Sequence, residues 1–289
     1  MEPVVTVGLD GSAESLAAAH WAADEAERRH AGLRLLHAWP ALAPEPTRVP
    51  SEIDQNYWAT RLVHQARAEL RTGHPGLVVV DSLVADDAES ALLRSASESE
   101  LTVLGSRGLT PAESYFLGSV SMAVVARASR PVVLVRPEAP GREPSPTRGN
   151  VVVALKLHGP CDEVLAFACH AAAARGGRLL AVHGRSLPIR ARTPSGVDDE
   201  VAQEITDEAA QRLRQVLGPW RERFPGVELS ETVRLESPAE AVVRAAEGSG
   251  LLVVGRRRHH RPPLASRLGP VAQASLHHVR CPVAVVPHD

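Results

Sequence analysis

The sequence predicts an α/β protein of two tandem domains, each an open parallel sheet of five strands covered by helices. Three observations predict it. One order of landmarks occurs twice, short apolar runs alternate with longer helical stretches inside each copy, and a proline-rich polar segment separates the copies. Laying VVTVGLDG, from Val4, over NVVVALKLH, from Asn150, puts Asp10 on Lys156. The same displacement puts His37 of LRLLHAW on His183 of LLAVHG. Further on the displacement drifts slightly while the order holds: LTVLG ends at Gly105 and LLVVG at Gly255, and Pro131 of RPVVLVRP answers Pro282 of CPVAVVP. Each copy spans about 140 residues, an ordinary domain length. The domains are therefore 1–137 and 150–289, with EAPGREPSPTRG, residues 138–149, as an extended linker.

In the first copy the elements run in order: strand 3–9, helix 12–30, strand 33–39, helix 52–72, strand 76–82, helix 86–99, strand 100–105, helix 119–129, strand 131–136. The strands are short continuous apolar runs, VVTV, LVVV and PVVLV among them, as both-face burial in a parallel sheet requires. Ser12 precedes AESLAAAHWAADEAERR and is placed to cap that helix, with Ser15 where a capping box carries Glu. Ser51 or Asp54 offers the same to the second helix. The second copy repeats the series: strand 150–155, helix 161–175, strand 178–183, helix 199–223, strand 226–234, helix 238–247, strand 250–255, helix 270–279, strand 282–286. Helical crossovers of this length imply right-handed βαβ units. The stretches 40–51 and 184–198, each after a second strand, are long enough to be expected as mobile surface loops.

Composition bounds the function. Of 289 residues, 44% are hydrophobic and 23% charged, the balance of a globular protein, and no run approaches the ~18 apolar residues of a membrane helix. MEPVVTVGLD carries neither the basic segment nor the cleavage site of a signal peptide, so a cytoplasmic location is expected. Three cysteines, Cys161, Cys169 and Cys281, form no CxxC pair and suit a reducing compartment. A formal net charge of −2 gives no global pull on nucleic acid, and no membrane or nucleic-acid partner is expected.

Ligands of open α/β sheets bind beyond the carboxyl ends of the strands, where the strand order reverses. Two loops there have suitable chemistry: GLDGS after the first strand, and the glycine-rich segment after the fourth. Glycines let the backbone approach a ligand, and a helix starting at Ser119 adds a partial positive charge, which together suit phosphate. Ser119 and Ser121 add hydroxyls, and Asp10 is an acceptor for a base or ribose.

The arrangement Gly105-x2-Gly108-x9-Gly118-Ser119, behind VGLDGS and ahead of PVVLVR, resembles the universal stress protein family over both copies. The resemblance implies the strand order 3-2-1-4-5, which makes the first and fourth strands neighbours, and it implies ATP as ligand. It places Asp10 near adenine, Ala38 beside the base, and Leu104 and Gly105 along the ribose and phosphates. Gly108, Gly118, Ser119, Val120 and Ser121 fall on the phosphate-binding segment. Whether Mg²⁺ accompanies the nucleotide is left open. The repeat, supported by the resemblance, further leads us to expect the two domains to pack as an internal pseudo-dimer through last strands that begin with proline; a homodimer of whole chains is also open.

The second copy departs from the pattern. Arg258 stands in place of the second glycine, the spacing to Gly269 is one residue longer, Pro270 replaces the serine, and Lys156 replaces Asp10. An arginine side chain fills phosphate space, proline lacks both hydroxyl and N–H, and lysine accepts no hydrogen bond. One nucleotide per chain is expected, in the first domain.

Plainer readings compete. The glycines also fit a tight ligand-free turn, and Asp10 also fits a helix cap. The run RRRHHR, Arg256–Arg261, reads as a solvated loop, or as a seat for another polyanion or a phosphorylated partner. His259-His260 and His277-His278 lack the carboxylate or cysteine spacing of a metal site. Cys161 and Cys169 read as core residues, and Trp21, Trp39, Trp58 and Trp220 as packing anchors. No GxxxxGK[ST], GxGxxG or GxSxG occurs, and no general base is placed against a nucleophile. A dedicated catalyst is thus disfavoured. The leading expectation is an ATP-binding regulator of a stress response acting through a protein partner. The alternatives are a slow ATPase or self-phosphorylating enzyme, with Ser119 or Ser121 as acceptor, and a nucleotide-independent scaffold.

Overall fold

The computed structural model describes residues 3–40, 52–106, 118–137, 149–187, 192–193, 196–197, 199–258 and 268–289. The chain divides into two compact units, Met1–Arg142 and Glu143–Asp289. The first unit contains β1 (Val4–Gly8), α1 (Ala13–Arg28), β2 (Gly32–Trp39), α2 (Glu52–Gly73), β3 (Val79–Ala85), α3 (Ala88–Glu98), β4 (Leu101–Gly105), α4 (Ser119–Arg127) and β5 (Val132–Val135). Its strands pair in parallel in the order β3-β2-β1-β4-β5. The second unit contains β6 (Val151–Ala154), α5 (Asp162–Arg175), β7 (Leu179–Gly184), β8 (Arg192–Thr193), β9 (Gly196–Val197), α6 (Asp199–Arg223), β10 (Leu229–Arg234), α7 (Pro238–Ala245), β11 (Leu251–Arg257), α8 (Pro270–His278) and β12 (Val283–His288). Its parallel order is β10-β7-β6-β11-β12, the same topology. Both five-stranded sheets, flanked by helices, have the expected 3-2-1-4-5 order.

The central strands are apolar because helices cover both their faces. Val5, Val7, Leu33, Leu35 and Val103 are buried, and so is the alanine face of α1, formed by Ala18, Ala19, Ala22, Ala23 and Ala26. Side chains that small let the helix lie close to the sheet. The polar exception in β1 is satisfied internally: the buried Thr6 hydroxyl lies 2.7 Å from Ser99 Oγ and 3.3 Å from Ser95 Oγ, both on the α3 side. Helix α1 begins as its sequence predicts, with Ser12 Oγ accepting from the Ser15 N–H at 3.1 Å.

Four expectations change. The strand read at 76–82 lies at Val79–Ala85, because it is the last strand in the order, held by β2 through Leu33↔Val79 to Trp39↔Ala85; such a strand needs no continuous apolar run, and Val78 and Val80 are in fact exposed. Within the loop expected at 184–198, β8 and β9 form a short antiparallel ribbon. Asp54 lies inside α2 rather than capping it, while Ser51 and residues 41–50 fall outside the described residues. Trp58 is no packing anchor: it is 60% exposed, with Arg61 stacked at 5.7 Å over its ring and Tyr57 edge-on beside it, whereas Trp220 is buried. Of the cysteines, Cys169 is buried and Cys161 half-buried at the start of α5; Cys161, Cys169 and Cys281 are not joined in disulfides.

Candidate functional site

In the first unit, β1 lies between β2 and β4, and the two connections leave β1 and β4 toward opposite edges of the sheet. Beyond the carboxyl ends of two such strands is where ligands of open α/β sheets bind. Asp10 stands on the β1 side of that region. Its Oδ1 accepts from the Ser12 N–H at 2.9 Å and the Ser12 hydroxyl at 2.5 Å, a local turn that sets up the α1 cap. The Asp10 N–H in turn points to Ser15 Oγ at 3.4 Å. Asp10 thus holds Ser12, and Ser12 rather than Asp10 caps the helix.

Gly105 closes the other side, and packing accounts for it. A Cβ there would stand 2.6 Å from the Glu14 carbonyl carbon and 2.7 Å from the Ser15 N, both backbone atoms at the start of α1. Only glycine admits that approach. The Gly105 carbonyl accepts from the Ser121 hydroxyl at 3.3 Å, so the chain of contacts runs from Asp10 through Ser12, Ser15 and Gly105 to Ser121.

Gly118 is different. It is the N-cap of α4, with φ −50° and ψ 133°, and makes no side-chain cap bond. A Cβ on it would meet nothing within 4 Å among the described residues. Neither its backbone conformation nor packing among those residues asks for glycine here. The N–H groups of Ser119, Val120 and Ser121 have no intrahelical acceptor, since the first helical bond runs from Met122 N to Gly118 O. These donors and the α4 dipole make the end of the crevice suited to phosphate.

The remaining expected residues are placed less directly. Leu104 is buried, and its Cδ2 lies 2.7 Å from where a Cβ on Gly8 would sit, so its side chain belongs to the core and only its backbone reaches the crevice. Ala38 is half-buried on β2, opposite Val84. Gly108 lies outside the described residues. Sequence reasoning treated His37 only as a landmark of the repeat, but the structure gives it a task. Its Nδ1–H donates to the Leu9 carbonyl at 2.7 Å and its ring stacks on Trp39, which fixes the residue preceding Asp10. His183 repeats the bond to the Leu155 carbonyl at 2.9 Å, and burial lowers its pKa from the ordinary histidine value. The matched displacement of the two histidines was the signal. Ser106 was also missed: its buried hydroxyl has no hydrogen-bond partner among the described residues.

In the second unit the same end of the sheet is built differently. β11 runs two residues beyond Gly255, paired to β12 through Arg256↔Pro287 and Arg257↔His288. The His288 ring lies 2.8 Å from a Cβ built on Gly255, and the Arg257 guanidinium 3.2 Å from one built on Gly159. Arg258 pairs with Glu163 and Asp289 at 3.6 and 3.5 Å. Pro270 opens α8 at the place of Ser119. Among the described residues no three His, Cys, Asp or Glu side chains converge as a metal site, and no helix is long and apolar enough to cross a membrane.

Two open, doubly wound α/β units with a glycine-lined crevice at the strand switch of the first define a ligand-binding class of fold. The chain belongs to the universal stress protein family, whose model matches residues 3–136 and again 147–287. Universal stress protein Rv2005c of Mycobacterium tuberculosis is similar to it, 33% identical over 290 residues, covering 97% of this chain and 96% of that one. Universal stress protein Rv2623 of the same organism is 30% identical over 264 residues, covering 88% and 86%. The crystal structure of a universal stress protein from Archaeoglobus fulgidus shares the fold, with a TM-score of 0.69 at 16% identity over 99% of this chain and 98% of that one.

Proposed function

We propose that the first unit binds one adenine nucleotide, ATP, in the crevice between β1 and α4, and that its occupancy regulates a partner during stress. The observation that carries this reading is Gly118: a glycine required neither by its conformation nor by packing among the described residues, at the mouth of a helix whose first amides lack intrahelical acceptors. Space and donors coincide there, which is what a phosphate group uses. In this reading the amides of Ser119, Val120 and Ser121 and the Ser119 hydroxyl hold phosphate. Asp10 and the backbone at Leu104, Gly105 and Ala38 face the nucleoside, and Gly108 continues the phosphate segment. Family membership supports a nucleotide ligand; the departures of the second unit, Lys156, Arg258 and Pro270 at the places of Asp10, Gly108 and Ser119, support one per chain.

The test is the small-molecule content of the purified chain, extracted and identified by mass, with and without Mg²⁺ in the buffers, beside a Gly118→Trp variant. ATP near one per chain, absent from the variant, is the expected result. ADP accumulation or a phosphoserine at position 119 or 121 would instead assign turnover to the site. An empty protein that also ignores added ATP would leave the scaffold reading.

A further inference from the structure

The third strands of the two units, β3 and β10, each pair with one neighbour only among the described residues, and their other edges are built differently. Leu33 and Leu179 are equivalent in the repeat, so the registers Leu33↔Val79 and Leu179↔Leu229 align the two strands residue by residue. Val78, Val80 and Val84 then correspond to Glu228, Ser230 and Arg234. The second edge is blunted by charge: Glu228 pairs with Arg178 at 2.8 Å and Arg234 with Glu236 at 3.7 Å. The first is not, and Val78 and Val80 are 66% and 54% exposed. The Leu33 N–H donates to the Val78 carbonyl at 2.9 Å, so the main chain of the even-numbered residues faces β2. By alternation the N–H and C=O groups of Asp81 and Leu83 face the edge.

The two faces of β3 differ in chemistry. Asp81 points to α2, where Arg67 pairs with it at 3.1 Å and also donates to the Val79 carbonyl. Those bonds lay the Arg67 flank of α2 along the edge, and the exposed His64 and Arg71, three and four residues away, share that flank. Between Asn56 and Gly73 the helix carries Arg61, Arg67 and Arg71 against a single carboxylate, Glu69, which accepts from Gln65; Asp81 offsets part of the charge on Arg67. Val78, Val80 and Val84 lie on the opposite face of the strand. We propose that the β3 edge takes up an extended segment of a partner protein as an added strand, in which acidic residues toward α2 alternate with apolar residues beside the valines. The edge N–H and C=O groups supply the ladder, and the cationic flank and the apolar row together select the alternation. A second copy of the chain fits less well, because two-fold pairing of β3 with itself brings two cationic α2 flanks together.

The experiment is fluorescence anisotropy of the full chain with a labelled, end-blocked peptide in which Val and Glu alternate over about eight residues, long enough to run along β3. Its Val-Lys counterpart is the control, at the same salt concentration. Saturable binding of the acidic peptide near one per chain is expected, with the Val-Lys peptide weaker by at least about tenfold. Val80→Glu, which gives this edge the chemistry of the second, weakens binding by at least about tenfold, and Val78→Glu serves if that variant does not fold. Arg71→Gln weakens it by about threefold. Arg178→Gln, at the second edge, leaves it unchanged. On binding, hydrogen exchange slows at the amides of Asp81 and Leu83 and not at those of Glu231 and Val233, which diffuse attraction between charges does not achieve. No binding, equal binding of the two peptides, an equal loss with Arg178→Gln, or unaltered exchange at Asp81 and Leu83 would overturn the proposal. A chain that sediments as a dimer and becomes a monomer with Val80→Glu would overturn it in favour of a second copy on this edge.

Discussion

Up to Gly105 and Gly255 the fourth strands of the two units correspond residue by residue; beyond those glycines they do not. β4 stops at Gly105, opposite Val135. β11 continues to Arg257, opposite His288. Pro137 stands at the place of His288, with neither an imidazole to lie beside the glycine nor an N–H to prolong the ladder. The space next to each glycine is taken by different matter: α1 backbone at Gly105, the His288 ring and the Val164 side chain at Gly255. The difference teaches that one strand order can end its fourth strand at the glycine or carry it two residues further, with different neighbours beside the glycine.

The comparison is sharpened most by Gly105→Ala. The added methyl meets rigid helix backbone and is expected to destabilise the protein by about 1–3 kcal/mol in chemical denaturation. Gly255→Ala meets mainly the His288 side chain, which can turn aside, and is expected to cost less. Equal costs would break the distinction between the two glycines. Next in size is the capping pair. Ser12→Ala and Ser237→Ala each remove a bond to the third helical N–H, 3.1 and 3.2 Å long, at about 1 kcal/mol apiece. A pH effect follows from His183. Its folded pKa is depressed by burial, so below the ordinary value of 6.5 the unfolded chain takes up a proton that the folded chain resists. Stability is therefore full above that pH and declines as pH falls through the folded pKa, and His183→Gln flattens that part of the profile. The smallest effect belongs to Gly118→Ala, whose methyl meets nothing within 4 Å among the described residues and changes stability by less than about 0.5 kcal/mol. A large loss there would mean that the glycine serves the fold after all.

The strand order and the element series were legible because parallel central strands are apolar throughout and because the pattern occurs twice. β3 was misplaced for the complementary reason: the run LVVV marks hydrophobicity, while pairing with β2 carries the strand on through Asp81 and Ser82. The β8–β9 ribbon, two residues a side, is too short for any periodicity to announce. At the site, the sequence named Gly105 and Gly118 together as parts of one cradle. Only coordinates separate the glycine that α1 requires from the one that nothing in the fold requires. The staple from His37 to the Leu9 carbonyl was visible as a repeated histidine, but its partner is a backbone atom that no side-chain pattern can name.

The central claim, which we propose, is that the carboxyl end of the first sheet, and not that of the second, retains the nucleotide. It is tested most directly by the ATP content of the chain as purified, compared with Gly118→Trp and with the double variant Lys156→Gln, Arg257→Gln. The account predicts about one ATP per chain in the parent and in the double variant, and none in Gly118→Trp. ATP that survives Gly118→Trp, or disappears with the two cations of the second unit, would contradict it.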